Sequence, residues 1–175
     1  ALCDGAFYKN KVIGVVGGGD SAIKEALLLS TYGSKVYIFA RGEKIRPEPV
    51  NEVKVHKNDK ITVFTKVNVK EIIGNGKKMT GVLLDREVNS SKNFALDALF
   101  VEIGHLPLSE LAVQLGIKLN AKNEIPINRL SETNVPGVYA AGDVVDTKFK
   151  QAITGVAEGV TAAYSAYQHV QNEEV

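Results

Sequence analysis

Apolar positions along the chain fall into short runs cut by glycines. Lys11 to Val16 is one such run, rich in β-branched residues and too short for a helix, and it predicts a buried strand. Gly17-Gly18-Gly19 breaks it. From Asp20 to Tyr32 the period changes: Ala22, Ile23, Ala26, Leu27 and Ser30 recur at helical spacing, Asp20 or Ser21 is placed to cap the start, and Gly33 supplies a stop. Lys35 to Ala40 repeats the buried-strand pattern. The first forty residues therefore predict strand, glycine turn, helix and strand, with parallel strands and a right-handed crossover.

Further along, Pro47 and Pro49 interrupt any helix and leave Val50 to Lys57 room for a short one at most. Ile61 to Phe64, Val67 to Ile73 and Met79 to Arg86 are strand-like, the last two separated by the hairpin signal Gly74-Asn75-Gly76-Lys77, so an antiparallel meander is the simplest arrangement. Leu96 to Ile103 is nearly continuous in apolar residues, ends at Gly104, and has the character of a strand returning to the parallel sheet. A domain boundary is expected near Gly104. Beyond it lie Pro107, a helix-like stretch from Ser109 to Leu115, polar turns around Asn120 to Glu124 and a buried-strand pattern at Val138 to Ala141. Gln151 to Gln168, rich in Ala, Gly and Val, predicts a long helix buried against a sheet. The class is α/β, in two domains, 1–104 and 105–175.

Composition narrows the function. The 175 residues carry 21 Lys+Arg against 20 Asp+Glu, so no basic field exists for nucleic acid or an anionic membrane surface. No apolar run reaches the roughly 18 residues of a membrane span, and Ala1 to Gly5 lack the features of a signal peptide. The single cysteine, Cys3, has no second cysteine in the chain to bridge to, which is the usage expected of a reducing cytoplasm. His56 and His169 lie in polar helical contexts without metal-site spacing.

Chemistry enters at Gly17-Gly18-Gly19-Asp20-Ser21-Ala22, which matches G-x-G-x-x-A between a predicted strand and helix. Gly17 would permit the tight turn, Gly19 would let the backbone approach a pyrophosphate, and Ala22 would hold the helix close to the strand. The helix N-terminus would then bind the phosphates. A glycine turn serving only packing is the alternative. About twenty residues on, the end of the second strand selects the nucleotide, an acid binding a 2′-hydroxyl and a cation a 2′-phosphate. Arg41 and Arg46 stand there and lean toward NADP, with Glu43 opposing them if it turns inward; a solvated turn is again the alternative. The sequence thus predicts a Rossmann-like nucleotide-binding domain with an antiparallel β-meander, followed by part of a second α/β domain.

Taken together these residues resemble the low-molecular-weight thioredoxin reductases, class II members of the pyridine nucleotide-disulfide oxidoreductases. Cys3-Asp4-Gly5 with Phe7-Tyr8 resembles the second half of a C-A-x-C-D-G-x-F-Y segment, and Gly17 to Ala22 with Glu25 and Ala26 resembles G-G-G-[ND]-[ST]-A-x-x-E-A. Ile103-Gly104-His105 resembles the segment leaving the nucleotide domain. Pro136 to Asp143 and Lys150-Gln151-Ala152 resemble P-G-[VI]-[FY]-A-[AC]-G-D and R-Q-A.

The resemblance implies a flavoprotein that passes electrons from NADPH through FAD and a cysteine pair to a protein disulfide such as thioredoxin, as a homodimer. Cys3 would be the cysteine nearest the flavin, and Asp4 the acid of dithiol exchange, a role suited to a partly buried carboxylate. Gly142 and Asp143 would meet the ribityl chain, and Lys150, Gln151 and Ala152 would open a helix toward the flavin pyrimidine edge. The pattern departs from the family in three places. The family's H-R-R-x-x-x-R reads Ala40-Arg41-Gly42-Glu43-Lys44-Ile45-Arg46, which weakens the preference for NADP over NAD and leaves Lys44 as the nearest replacement. The family's first cysteine would fall immediately before Ala1. Only one glycine-rich turn occurs, so the residues from 105 onward correspond to the C-terminal part of an FAD domain, and this chain by itself is expected to bind FAD weakly. A cysteine-independent reductase such as a ferredoxin-NADP reductase, and a nucleotide-binding module without catalysis, remain the other two readings.

Overall fold

A computed structural model describes residues 1–173, which form two compact units, one of residues 1–104 and one from His105 onward. The first opens with a short 3-10 turn at Gly5–Tyr8 and then enters β1 (Val12–Val16), α1 (Asp20–Tyr32) and β2 (Lys35–Ala40), as the pattern of apolar positions predicts. The helix stops at Gly33, whose N–H closes onto the Leu29 carbonyl. α2 (Pro49–His56) follows, then β3 (Ile61–Thr65).

β3 corrects an expectation. It leaves the meander and pairs in parallel with β2, Val36 to Ala40 facing Ile61 to Thr65. Parallel pairing needs a crossover element, and α2 supplies it. Pro49 sits in the first turn of that helix, where its missing N–H is no loss, so the proline starts the helix rather than forbidding it.

The antiparallel sheet consists instead of β4 (Val69–Gly74), β5 (Met79–Val88) and β6 (Ser91–Ala95). β6 is not evident from hydrophobic alternation. It is created by Asn89 and Ser90, both at positive φ (54° and 65°), the two-residue hairpin geometry that matches strand twist. β7 (Ala98–Val101) then returns beside β1, shorter than the predicted Leu96 to Ile103, and completes the parallel order β3-β2-β1-β7.

Alternation along β2 divides the core. Val36 and Ile38 join Ile13, Val15, Ala22, Ile23, Ala26 and Leu29 beneath α1. Phe39 packs on the other face with Val82, Leu84 and Leu96, and its ring lies edge-on to Phe94 at 5.4 Å. One face of the sheet thus carries the helix, the other the meander, and the C-terminal ends of the strands are left for the glycine turn.

The second unit contains α3 (Glu110–Gln114), α4 (Ala152–Glu173) and a small core of Ala112, Ile117, Ile125 and Val145. Two expectations change here. Val138 to Ala141 form no strand; only a single bridge joins Glu132 to Tyr139, and a strand needs a ladder of partners that this unit lacks. α4 forms, but Ile153, Val156, Val160 and Tyr164 are exposed, and Ser165 is its one buried residue among those described. A scarcity of charge reads as burial in a sequence; actual burial depends on a partner surface. No helix among the described residues is long and apolar enough to cross a membrane.

Candidate functional site

The glycine turn is assembled at the C-terminal end of β1. Gly17 adopts φ +146°, and a Cβ there would lie 2.2 Å from the Glu102 carbonyl oxygen and 2.8 Å from the Ala22 methyl. Gly17 and Ala22 are therefore small because strand and helix touch at this point. Gly17 also donates its N–H to the Phe39 carbonyl at 3.0 Å. At Gly18 a Cβ would press on Ala40 at 3.2 Å. Gly19 differs: a Cβ there would meet nothing within 4 Å. It is the N-cap of α1 and offers no side-chain oxygen to the first-turn N–H groups, while Ser21 is exposed beside it. A helix N-terminus with its donors uncapped and open space before it suits a phosphate.

Arg41, Lys44 and Arg46 are all exposed on the loop after β2. That loop lies against the turn, with the Arg46 N–H donating to the Gly18 carbonyl at 2.6 Å and a parallel bridge between Gly19 and Arg46. Glu43 does not turn inward; its carboxylate pairs with Lys66 at 2.6 Å. Asp20 is engaged sideways. Its Oδ1 accepts from the Glu48 N–H and the Asn51 Nδ2, each at 2.9 Å, and its Oδ2 lies 2.6 Å from the Lys24 ammonium. Lys24 and these two donors hold its carboxyl down at about 2.

Cys3 and Asp4 lie in the turn before the 3-10 segment, and both are exposed. Asp4 is 58% exposed on its side chain, so the partly buried carboxylate suited to proton transfer is not what this structure has. Ile103 is exposed at the end of the first unit, and Gly104 takes φ +92°.

In the second unit, Gly142 (φ +86°) and the exposed Asp143 lie on a loop held from two sides. Lys150 donates to the carbonyls of Asp143, at 3.0 Å, and Val145, and pairs at 3.0 Å with the buried Glu124, whose other oxygen accepts from Asn120. The Asn120 amide and the Lys150 ammonium hold the Glu124 carboxyl below its ordinary range. His105 lies 3.9 Å from the same carboxylate. From the opposite side Glu158 accepts from the Gly142 N–H at 2.9 Å and from the Thr147 hydroxyl. α4 comes close enough that a Cβ on Gly155 would lie 3.2 Å from Gly142 Cα. At the start of α4 the Gln151 N–H donates to Thr154 Oγ1 at 3.2 Å, and Ala152 is exposed.

Glu124, Glu158, Asn51 and Lys66 are the site-building residues that the sequence pattern does not reveal. Glu158 alone left a trace, as the one charged residue between Ala152 and Gln171. The cleft of about 220 Å³ lined by Val12, Met79, Leu96 and Asp97 lies at the opposite end of β1 from the turn. Among the described residues no group of His, Cys, Asp and Glu is disposed to hold a metal.

Comparison with known proteins bears on the family and the fold. Residues 3–159 match the family model described as pyridine nucleotide-disulphide oxidoreductase. A thioredoxin reductase of Debaryomyces hansenii is 36% identical over 99% of this chain and 55% of its own length, and that of Bacillus subtilis is 38% identical over 98% and 54%. The crystal structure of thioredoxin reductase from Streptococcus pyogenes superposes with a TM-score of 0.87 at 31% identity, covering 98% of this chain and 56% of that one. The chain spans about half the length of the curated relatives it matches. With its strand-turn-helix glycine site on a parallel sheet and a family match across most of its residues, the chain belongs to the pyridine nucleotide-disulphide oxidoreductase family.

Proposed function

We propose that this chain is the nucleotide-binding and redox-motif portion of an NADPH-dependent thioredoxin-disulfide reductase. The observation that carries this is the contrast within the glycine turn, where Gly17 is packed shut against Glu102 and Gly19 opens onto clear space beside three exposed cations. The residues fit a pyridine dinucleotide: the first turn of α1 would hold its pyrophosphate, and Arg41, Lys44 and Arg46 would face a 2′-phosphate. Glu43, neutralised by Lys66, would not oppose it.

The second domain, 105–175, carries part of a flavin site. Gly142 and Asp143 would meet the ribityl chain, and the start of α4 from Gln151 to Ala152 the isoalloxazine edge. FAD, when bound, supplies the two-electron carrier between nicotinamide and dithiol. Lys150 fits less as a direct contact than as a support, because its ammonium is already taken by Glu124 and two carbonyls. Ile103, Gly104 and His105 form the passage between the two domains. Cys3 would supply the thiolate of the dithiol exchange and Asp4 its proton donor and acceptor, from an exposed turn open to a protein disulfide. The partner is thioredoxin or a similar small disulfide protein, and the intact enzyme is a homodimer of the reducing cytoplasm.

The test is NADPH oxidation by the full-length protein with oxidised thioredoxin as acceptor. Activity that Cys3→Ser abolishes is expected; a variant that keeps the parent rate would overturn the dithiol role.

A further inference from the structure

Residues 47–49 have one main-chain donor between them. Pro47 and Pro49 carry no N–H, so the Glu48 N–H is the sole backbone group by which this end of the cation loop can be tied down as a donor, and Asp20 takes it at 2.9 Å. The loop is strapped at two other points: the Gly42 carbonyl accepts from the Lys66 N–H at 2.9 Å, and the Arg46 N–H reaches Gly18 at 2.6 Å. Asp20 also holds Asn51, which is buried in the first turn of α2, so that the start of α1 and the start of α2 share one carboxylate. Lys24 spans the same junction, 2.6 Å from Asp20 and 3.6 Å from Glu48.

We propose that Asp20 is a specificity-positioning residue: its carboxylate, engaged by Glu48, Asn51 and Lys24, sets the placement of Arg46, and so the discrimination between a dinucleotide bearing a 2′-phosphate and one bearing a 2′-hydroxyl. This rests on the nucleotide site proposed above. The Gly18 hydrogen bond and the Gly19 bridge fix the Arg46 backbone on one side, and the Glu48 carbonyl accepts from Asn51 and Glu52 of α2 itself. The Asp20 carboxylate is the hydrogen-bond acceptor that ties Glu48 and α2 to the start of α1, and a guanidinium on a backbone loosened there loses the fixed geometry that phosphate recognition needs. The pyrophosphate donors at Gly19 to Ala22 belong to α1 and do not depend on that strap.

The experiment is equilibrium titration of the full 175-residue chain with NADP+ and with NAD+, read as the ratio of the two dissociation constants, with far-UV circular dichroism to verify folding. Asp20→Ala is expected to cut the preference for NADP+ by about tenfold, the size of one lost charged contact. Asp20→Asn, which keeps an oxygen for the Glu48 N–H, retains most of it, and Asn51→Ala falls between. If Asp20→Ala does not fold, Asn51→Ala decides by the same ratio. An Asp20→Ala that weakens both nucleotides equally, or neither, overturns the proposal alone while the parent still binds NADP+ through Arg41. A parent chain that binds neither nucleotide overturns the nucleotide reading and this proposal together.

Discussion

At the scale of single residues, the three consecutive glycines have three different reasons to be glycine. Gly17 combines positive φ with a carbonyl 2.2 Å from where a Cβ would stand, so Gly17→Ala should destabilise the chain by about 2 to 4 kcal/mol through backbone strain and overpacking, measured as a fall in thermal midpoint. Gly19→Ala should destabilise the chain far less, by no more than about 1 kcal/mol for the poorer N-cap, because the space there is open, and should instead weaken NADP+ by about tenfold or more by filling the phosphate position. Equal stability losses in the two variants would contradict this division. Arg41→Ala should weaken NADPH more than NADH, by on the order of 1.5 to 3 kcal/mol, the range for a charged hydrogen bond. Parallel losses for both nucleotides in isothermal titration would remove Arg41 from the 2′-phosphate. Asp20 lies in the same hexapeptide, yet its carboxylate serves Glu48, Asn51 and Lys24. A motif read as one binding unit is therefore two devices, a phosphate turn and a loop anchor.

At the scale of elements, α4 is the clearest case of chemistry built by packing. Gly155 and Gly159 are one helical turn apart, but only Gly155 faces Gly142, at 3.2 Å from a would-be Cβ, whereas Gly159 meets nothing within 4 Å. Gly159→Ala should therefore raise stability by about 0.5 to 1 kcal/mol through helix propensity. Gly155→Ala should fail to show that gain, since pressure on the Gly142 loop offsets it, and denaturant midpoints compare the two directly. A matching gain at both positions would show that α4 does not press on the loop. The same loop is gripped by Lys150 through its carbonyls and by Glu158 through its N–H. Charges of opposite sign thus satisfy opposite backbone groups, which is how an exposed loop on few secondary-structure contacts keeps a defined shape. α2 makes a related point. Pro47 and Pro49 read as interruption, but Pro49 occupies the first helical turn, and the resulting crossover moves β3 into the parallel sheet.

For the whole molecule, each unit has a carboxylate held below its ordinary range, Asp20 in the first and Glu124 in the second. A carboxyl depressed in the folded state adds stability that is fully present above its unfolded value and is lost as pH falls through the folded one. For Asp20 that window runs from its ordinary 3.8 down to about 2. The thermal midpoint should accordingly hold steady down to about pH 5 and fall below it, and Asp20→Asn should flatten part of that fall in calorimetry. A midpoint insensitive to acid down to pH 2 would contradict it. The sequence by itself determined the β1-α1-β2 unit to within a residue, the glycine turn, the cations after β2 and the family resemblance, because each is written in local periodicity or in contiguous residues. Tertiary structure alone decided the rest. The sheet to which β3 belongs, the existence of β6, the absence of a strand at Val138 to Ala141 and the exposure of α4 depend on which distant partner is present. So do the pairing of Glu43 with Lys66 and the grip of Glu124, Lys150 and Glu158 on one loop, since a side chain shows its charge in the sequence but acquires its partner only when the chain folds.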